Sequence, residues 1–162
     1  MGSGSSSAYA GTHGSSQPYA PSYGVTKPMR QHDVDRGIYG TSGYTRNPTA
    51  KPIKEAINGN YIGDKHTNRQ FIYAIDLDGN IVIGERNGNG RDGDPTPHPT
   101  LIGGKNPRVQ VAGILDVRGG KIYSYDDRSG HFKPNHRSLE AADEAFSKLP
   151  ANLFHRHFRR RH

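Results

Sequence analysis

The sequence predicts an α+β domain, a small and mostly antiparallel sheet of two hairpins covered by a C-terminal helix. Three observations carry this expectation. Two stretches, around Phe71–Ile83 and Val109–Tyr125, each hold paired runs of β-branched and aromatic residues broken by a glycine-containing turn. Leu139, Ala142, Phe146 and Leu149 then recur at helical spacing. The chain of 162 residues has 21 Gly, 11 Pro and only 31% hydrophobic residues, so the ordered part is expected to be shorter than the whole.

Residues 1–50 are dominated by Ser, Gly, Tyr, Pro and Thr, with few aliphatic side chains to offset the entropy of ordering. They read as a disordered leader. Its start, Met1 to Ser6, fits the acylation pattern at Gly2, a match that a Gly/Ser-rich segment gives easily by chance. The start lacks the hydrophobic run of a secretory signal, and no stretch approaches the ~20 apolar residues of a membrane helix.

Residues 51–150 read as the folded domain. Pro52 can open a short helical turn through Ile57, ended by Asn58-Gly59. Phe71, Tyr73 and Ile75 alternate with Ile72 and Ala74. Asp78-Gly79-Asn80 turns the chain, and Ile81-Val82-Ile83 returns it. Asn87 to Pro99 is a long Gly/Asp/Pro-rich loop. In the second hairpin Val109, Val111, Gly113, Leu115 and Val117 are expected to share a face. Arg118-Gly119-Gly120 turns, and Lys121 to Tyr125 returns. A polar loop from Asp126 to Arg137 leads to the helix, with Ser138 as the expected N-cap, Glu140 in the first turn and Pro150 as the stop.

Residues 151–162 form a basic His/Arg tail. The net charge is +7, from 22 basic and 15 acidic residues. Arg156, Arg159, Arg160 and Arg161 belong to the tail, so 22 less these four leaves 18 against 15, and the body is only mildly basic. Such a run is commonly a solvated end. As a functional element it would clamp RNA, DNA or an anionic membrane. With no Cys there is neither a disulfide framework nor a thiolate zinc site. Asp92-Gly93-Asp94 lacks the further ligands of a calcium loop and reads as a turn. No metal site is expected.

No phosphate loop, dinucleotide fingerprint, zincin helix or nucleophile elbow is present. The chemistry concentrates instead in two segments, Pro97-His98-Pro99-Thr100-Leu101-Ile102-Gly103-Gly104 and Asp126-Asp127-Arg128-Ser129-Gly130-His131-Phe132-Lys133-Pro134. Two prolines hold His98 in a preset conformation. Gly103-Gly104 permits a sharp turn or a close approach to a ligand. Because the segments flank one hairpin, its open end should bring them together. His98, His131, Ser129 and Thr100 are the candidate catalytic residues. Lys105, Arg108, Tyr123, Tyr125, Arg128 and Lys133 are candidate substrate contacts. Loop histidines are more often surface hydrogen-bonders than catalysts, and Ser-Gly-His also occurs as plain turn chemistry.

The series His98-Pro-Thr-Leu-Ile-Gly-Gly, Val111-Ala-Gly-Ile-Leu-Asp-Val, Gly120-Lys-Ile-Tyr and Ser129-Gly-His-Phe-Lys-Pro134 resembles a C-terminal module of bacterial effectors and polymorphic toxins. It is also similar to a segment of plant IQ-motif calmodulin-binding proteins. The resemblance spans Phe71 to Leu149, about half the chain, and its second motif is the more specific. Pro99-Thr100 stands where the module has Ser-Ser, and Ile114 where it often has Glu. No IQ motif occurs here, so calmodulin binding does not carry over. The resemblance implies a toxin or effector that is secreted or delivered into a target cell, with an immunity protein or host target as partner.

Three functions are weighed on this basis. The first is a ribonuclease, with His98 and His131 filling the base and acid roles between them, Ser129 or Thr100 on the phosphate, and Lys105, Arg108, Arg128 or Lys133 holding its charge. It requires no cofactor. The second is an ADP-ribosyltransferase-like effector using NAD, for which Glu85 is the nearest acidic candidate. The third is a non-catalytic binding module that uses the leader and tail. Net charge favours the RNA substrate.

Overall fold

The computed structural model describes residues 21–87 and 96–160. The Gly2 pattern, the Asp92–Asp94 turn and Arg161 lie outside the described residues.

In chain order the elements are β1 (Tyr23–Gly24), α1 (Lys27–Asp35), β2 (Tyr39–Gly40), β3 (Gly43–Tyr44), β4 (Lys51–Pro52), β5 (Ile57–Asn58), β6 (Tyr61–Ile62), β7 (Arg69–Ile75) and β8 (Ile81–Glu85). Then come β9 (Arg108–Val109), β10 (Val111–Arg118), β11 (Lys121–Tyr125), α2 (Leu139–Phe146) and β12 (Phe154–Arg160). Short 3-10 turns cover Ile53–Ala56, His98–Leu101, His136–Ser138 and Ala151–Leu153.

The two predicted hairpins, β7–β8 and β10–β11, are the centre of a six-stranded sheet ordered β12-β11-β10-β7-β8-β4. All its pairings are antiparallel except β11 with β12. The fold is therefore α+β with a mostly antiparallel sheet, wider than two hairpins alone. The β7–β8 turn is made by Asp76, whose Oδ1 accepts from the backbone N–H of Asp78 at 3.0 Å and of Asn80 at 2.9 Å. Ser138 holds the N-cap position of α2, as expected, but its side chain makes no capping bond. It is itself helical, and Asn135 caps the preceding 3-10 turn by accepting from Arg137 N–H at 2.8 Å.

Both faces of the sheet are buried. On one face Phe71, Tyr73, Ile75, Leu115 and Ile122 pack under α2 through Leu139, Ala142 and Phe146, with Tyr125 stacked on Phe146 at 4.4 Å. On the other, Ile72, Ala74, Val82 and Ala112 pack against Leu101, Val109 and Phe132. Val109 thus lies on the opposite face from Val111, because Gln110 separates β9 from β10.

The second face corrects the predicted leader. Residues 21–50 are not a disordered leader but part of the domain. β1 pairs with β9, and Tyr23, Val25 and Ala50 pack on the second cluster. Thr26 N–H donates to His131 O at 3.0 Å. Residues 151–160 of the basic tail are likewise structured, since β12 is an edge strand whose Phe154 and Phe158 pack on the α2-side core. Among the described residues no helix is long and apolar enough to cross a membrane.

Candidate active site

A cleft of about 590 Å³ opens on the sheet face away from α2. Its walls bring together His98, His131, Asp126 and Arg128 from the two predicted loops, Asp33 and Arg36 from the N-terminal segment, and Arg86 beyond β8. A larger groove of about 860 Å³ runs past Glu55, His66 and Arg69. Of the residues singled out from the sequence it is lined by Glu85, the acidic candidate of the transferase reading.

His98 opens the 3-10 turn set by Pro97 and Pro99. Its Nε2 lies 2.8 Å from the Gly113 carbonyl. A carbonyl only accepts, so Nε2 carries the proton and Nδ1 keeps the lone pair. Burial pushes the imidazole from 6.5 down to about 4, against the Gly113 bond, with His131 and Arg86 adding to the shift. His98 is thus neutral at physiological pH, so of the base and acid roles considered for the two histidines, the acid role does not suit it.

A consequence follows for acid stability. Near pH 5 the unfolded imidazole is protonated and the buried one is not, so unfolding takes up a proton and acid favours it. Stability from this group is complete above 6.5 and is lost as pH falls toward 4, a loss of about 2–4 kcal/mol. His98→Gln should flatten that limb of the stability–pH curve, measured by urea unfolding. An unchanged limb would contradict the assignment.

His131 is held differently. Its Nε2 lies 3.1 Å from Oδ2 and 3.3 Å from Oδ1 of Asp33, which is 1% exposed. Tyr44, also buried, donates its hydroxyl to Asp33 Oδ2 at 2.5 Å. The result is a chain Tyr44–Asp33–His131. Burial lowers the His131 pKa and Asp33 opposes that shift. Burial and the Asp33 charge together push the Tyr44 phenol up, so it remains a donor. With Nε2 committed to the carboxylate, Nδ1 is the atom left for proton transfer.

Asp126 sits across the cleft. Its Oδ1 accepts from Ile114 N–H at 2.8 Å and Arg128 N–H at 3.0 Å, while burial raises its pKa. Gly113 makes this possible, because a Cβ there would lie 2.0 Å from the Asp126 carbonyl oxygen. One glycine thus seats Asp126 on one side and holds His98 through its carbonyl on the other.

Of the other candidates only Arg128 lines the cleft. Thr100 donates its hydroxyl to Pro97 O at 2.7 Å and stabilises its own turn. Ser129 Oγ accepts from Phe132 N–H at 3.3 Å and shapes its loop. Neither is placed as a nucleophile or phosphate donor. Lys105 lies by β2, where its carbonyl accepts from the Tyr39 hydroxyl. Arg108 binds Ser22 across β9–β1, and Lys133 occupies a left-handed turn at φ 45°. Tyr125 is a core residue whose hydroxyl donates to Asp143 at 2.5 Å. Tyr123 packs beside His155 near the sheet edge. Gly103-Gly104 serves a close approach of chain rather than of ligand, since Gly104 and Tyr44 exchange two backbone bonds of 2.9 Å. Of the tail arginines, Arg160 pairs with Asp143 on α2 at 2.9 Å, and Arg156 contacts His157. Glu85, the transferase candidate, is an exposed partner of Arg69 at 3.8 Å and does not line the cleft.

Asp33, Tyr44, Arg36 and Arg86 were not marked by sequence motifs. Among the described residues no group of three or more His, Asp or Glu is placed to hold a metal ion. Comparison of the chain with protein-family models, with curated proteins and with solved structures finds no match.

Proposed function

We propose that the cleft is the active site of an RNA-cleaving toxin-type enzyme using acid–base chemistry. The observation that carries this is the Tyr44–Asp33–His131 chain, delivered to a cleft that Arg36, Arg86 and Arg128 also line. A histidine oriented by a buried carboxylate suits a general base, and guanidinium groups suit a phosphate. In this reading His131 takes the 2′-hydroxyl proton and the 2′-oxygen bonds to phosphorus. The bond to the 5′-oxygen breaks, and that oxygen takes a proton from Asp126, whose carboxyl burial pushes toward its protonated form. The arginines stabilise the charge on the phosphoryl oxygens. His98, neutral and fixed on Gly113, offers Nδ1 as an orienting acceptor. The likeness to toxin modules agrees with this assignment, and the position of Glu85 argues against the NAD-dependent alternative.

Purified full-length chain incubated with RNA, with and without chelator, tests the proposal. Fragments ending in a 2′,3′-cyclic phosphate are expected. RNA that stays intact under every condition would overturn it. Transfer of label from NAD to protein in a lysate would replace it with the transferase reading.

A further inference from the structure

Beyond the cleft the same sheet face carries a row of residues in register. Gln70, which lines the cleft, pairs with Asp116, Asp116 with Ser124, and Ser124 with Arg159 on the edge strand. The row steps across three strand spacings, about 5 Å each. Where β10 meets β11 the register slips between Asp116 and Val117, a bulge that leaves Tyr123 as the extra residue. Bulges re-aim a side chain. Here Tyr123 is turned to the cleft side, alongside Ser124, and its neighbours lie on that side as well. Arg118 lies over its ring at 3.7 Å and is bridged to Asp116 at 3.1 Å. The His155 ring meets Tyr123 edge-on at 5.2 Å, and His157 follows at 5.6 Å.

The β11–β12 register slips between Ile122 and Ser124, whose partners are Phe154 and Arg159, so β12 does not alternate regularly and its facing is read from contacts and pairing. Phe154 and Phe158 pack on the α2-side core, and Arg160 pairs with Asp143 of α2. Arg159 is level with Ser124, and His155 and His157 follow the Tyr123 ring, which puts the three on the cleft side. A charged edge strand protects a sheet from pairing with other chains. That role would be met by charges on either face, and it does not call for a tyrosine, two imidazoles and a guanidinium in succession on one.

We infer that this strip, Arg118–Tyr123–His155–His157 with Arg159, is a track that binds single-stranded nucleic acid leading into the cleft. Planar rings and guanidinium groups are surfaces on which unpaired bases stack, and Arg159 supplies positive charge beside them for the backbone. The inference rests on the reading of the cleft as acting on RNA.

The test uses the full chain in chelator and a fluorescent single-stranded oligouridine, read by anisotropy across a salt series. Tyr123→Leu should weaken binding by roughly tenfold or more, while Tyr123→Phe, which keeps the ring, should bind like wild type. Arg159→Gln, at an exposed position, should weaken binding a few-fold and reduce the salt slope by about one. Cleavage of a dinucleotide, which cannot reach from the cleft to the strip, should proceed at the wild-type rate in all three variants. Equal oligouridine binding by wild type, Tyr123→Leu and Arg159→Gln would overturn the track. So would binding to anionic phospholipid vesicles with none to oligouridine. If the strip residues bind RNA that is never cut, the cleft reading fails and the track stands. If RNA is cut and the variants bind normally, the track alone fails.

Discussion

His131→Ala should lower RNA cleavage by about 10²- to 10⁴-fold while leaving the protein folded, because it removes the cleft imidazole that a buried carboxylate orients. Asp33→Asn should keep the shape of the chain and lose the charge that supports the imidazolium, which makes Asp33 a positioning residue. Its rate should fall less than that of His131→Ala, and its pH profile should move. Asp33 raises the His131 pKa against burial. Without that charge His131 falls further, so the acid limb of the rate profile shifts to lower pH. Asp33→Ala adds a different cost. It strands the buried Tyr44 hydroxyl, a loss of about 1–3 kcal/mol visible in urea unfolding. Tyr44→Phe with Asp33→Ala should recover part of it. A pH profile of Asp33→Asn that overlays wild type would show that the carboxylate does not act through His131.

Gly113→Ala should be strongly destabilising. The added carbon would sit 2.0 Å from Asp126 O and 2.6 Å from its Oδ1. Neither contact is with a flexible end that can swing aside. The carbonyl belongs to backbone, and the carboxylate is tied to two N–H groups. β10 and the Asp126 loop must part, at a cost of about 3 kcal/mol or more, near the upper end for overpacking. The melting temperature should drop by roughly 6–12 °C for a domain of this size. Activity should fall more than stability alone explains, since Gly113 O also holds His98. A variant that melts within about 2 °C of wild type would mean that the strands give way far more easily than their packing implies.

The sequence announced the four central strands because their residues are β-branched or aromatic and their turns are glycine-marked. It announced the meeting of His98 and His131 because the two loops flank one hairpin. Asp33 and Tyr44 were hidden by composition, since residues 21–50 have few aliphatic side chains with which to signal burial. A sign was nevertheless present. Phe71 to Ile75 is apolar on both faces, and all five residues are buried. An antiparallel sheet with one wet face alternates, so an unbroken run demands a cover on each side. α2 can cover only one. Part of the second cover had to come from residues 21–50, which cling to the sheet through backbone pairing and loop bonds more than through oily side chains. The β12 strand was missed because a run of arginines and histidines reads as a solvated end, while its two phenylalanines, four residues apart, are what anchor it.

Asp33 and His131 stand 98 residues apart in the chain. A ribosome makes protein from the N-terminus, so Asp33 is exposed early and waits for its partner while most of the sheet is still being synthesised. The dyad can close only after β7 to β11 have emerged and paired. An interrupted or proteolysed product that lacks Asp33 or His131 therefore holds a cleft without an oriented base. A fragment that keeps the site must therefore hold Asp33, His131 and the strands between them together.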